Sequence, residues 1–277
     1  MEKLDLHIHS SFSDGDYNIK ELIKKIKDKK IDIFSITDHD STESIKVLKE
    51  IPDISYIPGI EMSAKLNKTK MHILGYGVKE DGVISQKCKE VKKIKQELIY
   101  EIIKDLIKKN YKIEYPIDNK TLSKVDVAKL LVDKKYAKTV KEAFYNILGQ
   151  YKIGNQIRID AREVIELINE EEAIPILAHP FEIPKKQNIL IDYIIDELIE
   201  CGIKGLEVYT TKHTKEESEY LLKICEKKNL LISSGSDYHG ISKPNIDLGD
   251  NIKGEEVSEA IKKKTIKHKW CNIQCLQ

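Results

Sequence analysis

Histidine and carboxylate residues recur at the ends of apolar segments along the chain. His7 and His9 lie two residues apart in the segment LDLHIH, and Asp237 and His239 repeat that spacing in GSDYHG. Residues i and i+2 of a strand project to the same face, with Cα atoms roughly 6.5–7 Å apart, so both members of a pair can face one cation. Each pair therefore has the spacing expected of metal ligands.

Five further imidazole or carboxylate groups occupy comparable positions, namely Asp14 in SSFSDG, His39 in TDHD, Glu61 in PGIEMS, His72 at the start of an apolar run, and His179 in ILAHP. Taken singly, each has an ordinary explanation, because a histidine at a strand end satisfies local carbonyl groups and an aspartate beside glycine forms a turn. Nine such groups at one place would form a dense charge cluster unless cations neutralised it. We therefore expect a metal centre.

Short β-branched segments alternate with amphipathic segments over most of the chain. The apolar segments cover residues 4–9, 31–37, 54–64, 71–77, 173–179, 205–209 and 230–237. Helices are expected between them, for example at 18–30 and 41–50. This alternation indicates repeated β/α units with mostly parallel strands, which form a barrel or an open sheet. The carboxyl ends of barrel strands meet at one mouth, where the candidate ligands would converge.

The alternation stops between about residues 83 and 158. Apolar residues from Ile84 to Leu106 recur there every three or four positions, which predicts one long helix. Further helices are expected at 121–135 and 139–148, the second ending at Gly149. We therefore expect an α/β domain formed by residues 1–82 and 159–277, with a helical subdomain inserted at 83–158.

The composition excludes several classes of protein. With 47 Lys and Arg against 46 Asp and Glu, the formal charge is +1, which is not the surplus of a dedicated nucleic-acid coat. No apolar run is long enough to cross a bilayer. Five cysteines without a CxxC pair, and a start without a signal-like region, indicate a reducing cytoplasm. We expect no membrane association and no obligate protein partner.

Six motifs together resemble a known family. In order, DLHIHSSFSDG, ITDHDS, PGIEMS, HILGYG, ILAHP and GSDYHG are similar to motifs of the PHP (polymerase and histidinol phosphatase) family of metal-dependent phosphoesterases. Within it, the Ser-Asp-Gly of the first motif and the helical insertion look most like the branch of 3′,5′-bisphosphonucleotide phosphatases and 5′-to-3′ exoribonucleases. The resemblance implies an α/β fold, a distorted (β/α)7 barrel similar to a TIM barrel, with an inserted helical subdomain.

The resemblance also implies two or three divalent ions, Mn²⁺, Fe²⁺ or Zn²⁺. The implied ligands are His7, His9, Glu61 and Asp237 for the first ion, Glu61, His72 and His179 for the second, and Asp14, His39 and His239 for the third. Asp5 and Asp38 are expected to accept hydrogen bonds from the far nitrogens of ligating imidazoles, which would fix their tautomers.

The expected reaction is phosphate ester hydrolysis. A hydroxide between the ions that Glu61 links would attack phosphorus in line, and the third ion would hold non-bridging oxygens. Asp38 or His213 is the candidate proton donor to the leaving oxygen. His213 and Lys212, which follow the segment GLEVY, and Arg158, at the end of the insertion, are the candidate phosphate-binding residues.

The expected substrate is a small phosphorylated molecule, either a 3′,5′-bisphosphonucleotide or a short oligoribonucleotide. Two alternatives stay open. One is a phosphatase of another small metabolite, such as histidinol phosphate. The other is a metal-binding regulatory module without enzymatic activity, which the completeness of the ligand set disfavours.

Overall fold

A computed structural model of the protein describes residues 2–114, 122–151, 157–187 and 189–268. The chain forms two compact units, one comprising Met1–Gln86 and Ile159–Gln277, the other Lys87–Arg158. The first division falls a few residues after the sequence-based boundary at 82 and 83. A single helix that begins at Val83 in the first unit continues into the second.

The first unit contains the strands, most of which carry mostly buried side chains. They are β1 (Leu4–Ile8), β2 (Ile33–Ile36), β3 (Ile54–Tyr56), β4 (Gly59–Leu66), β5 (Thr69–Tyr76), β6 (Ile159–Asp160), β7 (Ile174–Leu177), β8 (Gly205–Tyr209), β9 (Leu231–Ser234) and β10 (Ile266–His268). The apolar segment at 54–64 thus forms two strands, with Pro58 between them.

Helices follow most strands of this unit. They are α1 (Ile19–Asp28), α2 (Glu43–Leu48), α6 (Ala161–Glu170), α7 (Glu182–Gln187), α8 (Ile191–Glu200), α9 (Lys215–Lys228) and α10 (Glu259–Lys262). Polar caps fix where several begin. In α1 the side chain of Asn18 accepts from the Glu21 amide, and Glu21 accepts from the Asn18 amide.

Seven strands follow one another around an incomplete ring, in the order β1, β2, β4, β5, β7, β8 and β9. The two sheets have the orders β1-β2-β3-β10 and β6-β4-β5-β7-β8-β9. Isolated bridges join them, one between His39 and Glu61 after β2 and the other between Ile8 and Tyr238 after β9. Among the described residues no continuous ladder closes the ring, so the barrel is distorted. The expected α/β architecture is confirmed.

Two strands depart from the expected parallel arrangement: β10, which is antiparallel to β3, and β5, which affects the site. β5 is antiparallel to both β4 and β7, because a two-residue turn at Asn67 and Lys68 joins it directly to β4. Its early residue His72 consequently lies beside the end of β7, where the carbonyl oxygen of His72 accepts from the amide of Ala178. The reversal thereby brings His72 to the carboxyl end of a parallel strand.

The second unit is helical, as the periodicity predicts. It comprises most of α3 (Val83–Lys108), with α4 (Lys124–Asp133) and α5 (Val140–Asn146). Ile103 and Leu106 of α3 pack with Leu131 of α4 and with Ala143 of α5 in a buried apolar cluster. Among the described residues, no helix in either unit is long and apolar enough to cross a membrane.

Gly235 allows a close approach between β1 and the segment that follows β9. A Cβ at this position would lie 2.3 Å from the Cβ of His7 and 2.5 Å from its backbone nitrogen. We predict that Gly235→Ala lowers the free energy of unfolding by about 1–3 kcal/mol, because the backbone of β1 must move. It should also weaken metal binding, since His7 moves with it.

Thermal unfolding and metal titration check this prediction. Gly149→Ala is the matched control, because the nearest atom to its added Cβ would lie 3.2 Å away. Equal effects of the two substitutions would contradict a specific role for Gly235.

Candidate metal centre

Backbone pairing brings the two i, i+2 pairs together. The amide of Asp237 donates to the carbonyl of His7 over 2.9 Å, and the amide of His9 donates to the carbonyl of Tyr238 over 2.9 Å. These bonds extend the pairing of β1 beyond the end of β9. The side chains of His7, His9, Asp237 and His239 are consequently all buried at one place.

A buried carboxylate orders the turn that carries Asp14. Asp38 accepts hydrogen bonds from the amide and the hydroxyl of Ser10, both over 2.7 Å, and from the hydroxyl of Ser13 over 2.6 Å. The turn places Asp14 at the rim, with 55% of its side chain exposed, where one oxygen lies 3.3 Å from Nε2 of His239.

Glu61 is the centre of the cluster. Both of its oxygens are surrounded by imidazole nitrogens. Oε2 lies 3.2 Å from Nε2 of His7, 3.2 Å from Nε2 of His9 and 3.1 Å from Nδ1 of His39, while Oε1 lies 3.0 Å from Nδ1 of His72 and 2.9 Å from Nε2 of His179. One carboxylate thus faces five imidazoles from four segments of the chain.

Among the described residues, potential ligand atoms form three groups within 4.8 Å. The groups are His7, His9, Glu61 and Asp237; His39, Glu61 and His72; and His9, Asp14, His39 and His239. The first coincides with the set that the sequence resemblance implies. His179 contacts Oε1 of Glu61, and His9 also belongs to the Asp14 group. The structure thus brings all nine sequence-derived candidates together.

Several atoms of the cluster lack hydrogen-bond partners. Oε2 of Glu61 and the Nδ1 atoms of His39 and His72 are buried and form no hydrogen bond in the described structure. Nδ1 of His39 nevertheless lies 3.1 Å from Oε2 of Glu61, and Nδ1 of His72 lies 3.0 Å from its Oε1. Buried polar atoms without partners destabilise a fold, whereas divalent ions placed between them would satisfy their lone pairs. Imidazole and carboxylate without thiolate suit Mn²⁺, Fe²⁺ or Zn²⁺, so the residues fit divalent ions.

The electrostatics favour deprotonated carboxylates at the centre. Burial opposes ionisation of Glu61 and Asp237, but the neighbouring imidazoles hold the pKa of each well below its usual range. Burial lowers the pKa of His39 to about 3, so this imidazole keeps a lone pair for a cation at neutral pH. For His9, burial is outweighed by the neighbouring carboxylates of Asp237 and Glu61, which raise its pKa to about 9.

Two candidate ligands have strained backbone. His179 and Asp237 have φ angles of 29° and 57°, a left-handed region that L residues rarely adopt. Such strain costs about 1–3 kcal/mol per residue and is common at functional sites, where the surroundings enforce it. Both residues therefore hold positions that the fold imposes.

The two carboxylates expected to orient imidazoles have other partners. In the described structure Asp38 binds Ser10 and Ser13, as above. Asp5 accepts from the amide and hydroxyl of Ser236 and from the amides of Gly249 and His7. Each one therefore fixes backbone around the cluster, and the expectation that they bind ligating imidazoles is wrong.

Glu207 performs that function instead, and sequence reasoning missed it. The Nδ1–H of His7 donates to its Oε1 over 2.8 Å, and the amide of His179 donates to its Oε2 over 2.7 Å. Glu207 is fully buried. The sequence signal was a charged residue in the middle of the apolar strand GLEVY. Because Nδ1 of His7 donates to Glu207, Nε2 is the nitrogen that faces Glu61 and Asp237.

The three candidate substrate residues lie in different settings. Nδ1 of His213 donates to the carbonyl of Val208 over 3.0 Å, and its Nε2 accepts from the amide of Phe181 over 3.3 Å. Both imidazole nitrogens of His213 are therefore engaged in backbone hydrogen bonds. Lys212 lies at the cluster, 3.3 Å from Oδ2 of Asp237. Arg158 is half-buried at the last residue of the second unit.

Comparison with known proteins identifies the family. The model of the PHP domain matches residues 5–268, so the chain belongs to the PHP domain family. This confirms the resemblance inferred from the motifs and places the protein among metal-dependent hydrolases. The regulatory alternative without activity loses its basis.

Curated relatives cover most of the chain. A phosphoribosyl 1,2-cyclic phosphate 1,2-diphosphodiesterase of Eggerthella lenta is 24% identical over 85% of this chain and 94% of its own length. A 5′-3′ exoribonuclease of Haemophilus influenzae is 26% identical over 91% of this chain and 94% of its own. A 3′,5′-nucleoside bisphosphate phosphatase of Chromobacterium violaceum is 22% identical over 90% and 91%.

Solved structures share the fold. A protein of Bifidobacterium adolescentis named as a metal-dependent phosphoesterase superposes with a TM-score of 0.72 at 23% identity, over 95% of both chains. A protein of Chromobacterium violaceum named as an amidohydrolase, with bound sulfate, gives 0.73 at 20% identity, over 96% of this chain and 98% of its own.

The role of Glu207 is testable by an isosteric change. Nδ1 of His7 and the amide of His179 both donate hydrogen bonds to the carboxylate of Glu207. A glutamine would place its own NH₂, which is also a donor, against one of them. We predict that Glu207→Gln weakens binding of Mn²⁺ by about 10- to 100-fold while the protein stays folded. Calorimetric titration of the metal-stripped protein measures this, with the exposed Glu219→Gln as control. Unchanged affinity in Glu207→Gln would remove Glu207 from the metal centre.

Proposed function

We propose that the protein hydrolyses phosphate esters of nucleotides, with 3′,5′-bisphosphonucleotides or short oligoribonucleotides as substrates. The observation that carries the proposal is the position of Glu61, whose oxygens face two sets of imidazoles. A shared carboxylate of this kind can bridge two ions, which is the arrangement that hydrolysis of a phosphate ester uses. The names of the curated relatives support the substrate class.

We propose two or three divalent ions at this site. When bound, they lower the pKa of a coordinated water and neutralise charge on the phosphate. His7, His9, Glu61 and Asp237 would hold one; Glu61, His72 and His179 a second; and Asp14, His39 and His239 a third. Glu207 orients His7, and the turn bound by Asp38 presents Asp14 at the rim.

Basic residues supply the remaining phosphate contacts. The side chain of Lys212 is 23% exposed and its ammonium lies beside Asp237, so a phosphate at the metal centre would come within its range. Arg158 stays a candidate for a bidentate phosphate contact, since its guanidinium can donate two parallel hydrogen bonds. Since Asp38 and His213 hold neighbouring backbone, we assign no proton donor among the side chains and expect solvent at the rim to protonate the leaving group.

An apolar pocket at the barrel rim supports a substrate with a ring. It has a volume of about 390 Å³ and lies at the first turns of α8 and α9, lined by Phe181, Leu190 and Tyr220 among others. Phe181 is two residues beyond the candidate ligand His179, and its ring centroid lies 6.0 Å from that of Tyr220. Helices that follow parallel strands begin at the same end of a barrel as its active site. A nucleobase could pack here.

This placement gives a prediction about substrate discrimination. Tyr220→Ala should raise the KM for 3′,5′-bisphosphoadenosine about fivefold or more, because stacking on an aromatic side chain contributes roughly 1–3 kcal/mol. Hydrolysis of a ribose bisphosphate without a base should not change. Tyr193→Ala is the control, since Tyr193 is similarly exposed on α8 outside this lining. If Tyr220→Ala changed the KM equally for 3′,5′-bisphosphoadenosine and for the ribose bisphosphate, the nucleobase would not bind in this pocket.

The activity itself is tested with a substrate panel. Purified protein, stripped of metal and reloaded with Mn²⁺, is assayed on 3′,5′-bisphosphoadenosine, a short 5′-phosphorylated RNA and histidinol phosphate. We predict release of phosphate or mononucleotides from the first two, and background rates in His9→Ala, because His9 faces both Glu61 and Asp237.

The outcomes separate the alternatives. Preference for histidinol phosphate would favour the metabolite phosphatase, and activity retained in His9→Ala would contradict the metal mechanism. The dependence of KM on salt distinguishes the two nucleotide classes, because contacts along an oligonucleotide with several phosphates give a steeper decline in affinity than contacts to a bisphosphonucleotide.

A further inference from the structure

Lys243 lies over the candidate metal centre, and neither the sequence motifs nor the proposed function uses it. It follows His239 by four residues, and its amide donates to the carbonyl of Gly240 over 3.2 Å. Gly240 has a φ of 94°, and the amide of Ser242 donates to a carboxylate oxygen of Asp16 over 2.6 Å. This turn directs Lys243 back across the imidazole of His239.

The tautomer of His239 is fixed by the backbone. Its Nδ1 lies 2.8 Å from the carbonyl oxygen of Asp237, to which it donates, so its Nε2 carries the lone pair. The ammonium of Lys243 lies 3.0 Å from this Nε2 and donates to it. The same Nε2 is the atom that His239 offers to the group containing Asp14 and His39.

A lone pair cannot bind an ammonium proton and a metal ion at once. Lys243 also lies 3.4 Å from Oδ2 of Asp237, whereas Oδ1 of Asp237 faces His7 and His9. The ammonium therefore supplies positive charge on the Asp14 side of the cluster, at the atom that an ion there would require. Of the other two ligand groups, only the one that contains His7 and His9 includes Asp237, and Lys243 contacts the Oδ2 of this residue.

We propose that Lys243 is a built-in competitor of the third divalent ion, so that this ion binds more weakly than the other two and displaces the ammonium when it binds. The inference rests on the proposed metal centre. In the state with two ions, the ammonium of Lys243 takes the place of the third cation. In the state with three ions, the third ion has displaced it.

The test is stepwise calorimetric titration of metal-stripped protein with Mn²⁺, with the bound metal counted by elemental analysis. In Lys243→Met the weakest ion should bind about tenfold more tightly than in the unsubstituted protein, because a hydrogen bond to a charged donor no longer has to be broken. Affinities of the two tighter ions should change much less. A protein that binds two ions and gains a third in Lys243→Met would support the proposal equally.

Lys212→Met is the matched control. Both ammonium groups lie at similar distances from Oδ2 of Asp237, 3.3 Å for Lys212 and 3.4 Å for Lys243, but only Lys243 contacts Nε2 of His239. Removing a positive charge nearby tightens cation binding in either variant, so the difference between the two variants measures direct competition. Lys243→Gln provides a second variant if the methionine destabilises the turn, which thermal unfolding reveals.

Two results overturn the inference in different ways. If the unsubstituted protein binds Mn²⁺ but Lys243→Met and Lys243→Gln leave the weakest ion unchanged or weaken it, Lys243 does not compete with that ion, and the proposed metal centre stands. If the unsubstituted protein binds no divalent ion, the metal centre and the inference fail together.

Discussion

The structure depends on one constraint, which is that buried carboxylates surrounded by imidazoles need cations. Glu61 is fully buried and faces five histidines, and Asp237 and Glu207 add two more buried carboxyl groups. Charge removed from water must be paired or bind metal, because its desolvation is otherwise prohibitive. Unbonded atoms on Glu61, His39 and His72 show that side chains alone do not complete the pairing. Divalent ions bound at the proposed centre would complete it.

The barrel is arranged to satisfy this constraint. Two isolated bridges that join the sheets occur at ligand-bearing segments, between His39 and Glu61 and between Ile8 and Tyr238. The two sheets thus meet at segments that carry or adjoin candidate ligands. Two further departures from ideal barrel geometry occur at the site. β5 is antiparallel to its neighbours, and His179 and Asp237 have left-handed backbone. Such departures cost stability, which the apolar core around Leu4, Leu6 and Ile176 offsets.

Much of the site was predictable because most candidate ligands lie at or just beyond strand ends, although Glu61 and His72 lie within β4 and β5. Strands are recognised from apolar runs, and parallel strands end at one mouth, so nine residues separated by more than two hundred positions could be grouped before the fold was known. The supporting residues were not predictable in this way. Asp38 and His213 bind backbone groups whose positions depend on the completed fold. Glu207 is one acid within an apolar strand, and its two partners come from β1 and from the end of β7.

The central claim is that these side chains form one cation cage. A crystal of protein loaded with Mn²⁺, measured at the manganese absorption edge, tests it directly. The account predicts at least two anomalous peaks, each within about 2.0–2.3 Å of imidazole nitrogens or carboxylate oxygens of the cluster, with Glu61 contacting both. Peaks only at surface carboxylates, or none beside Glu61, would contradict it.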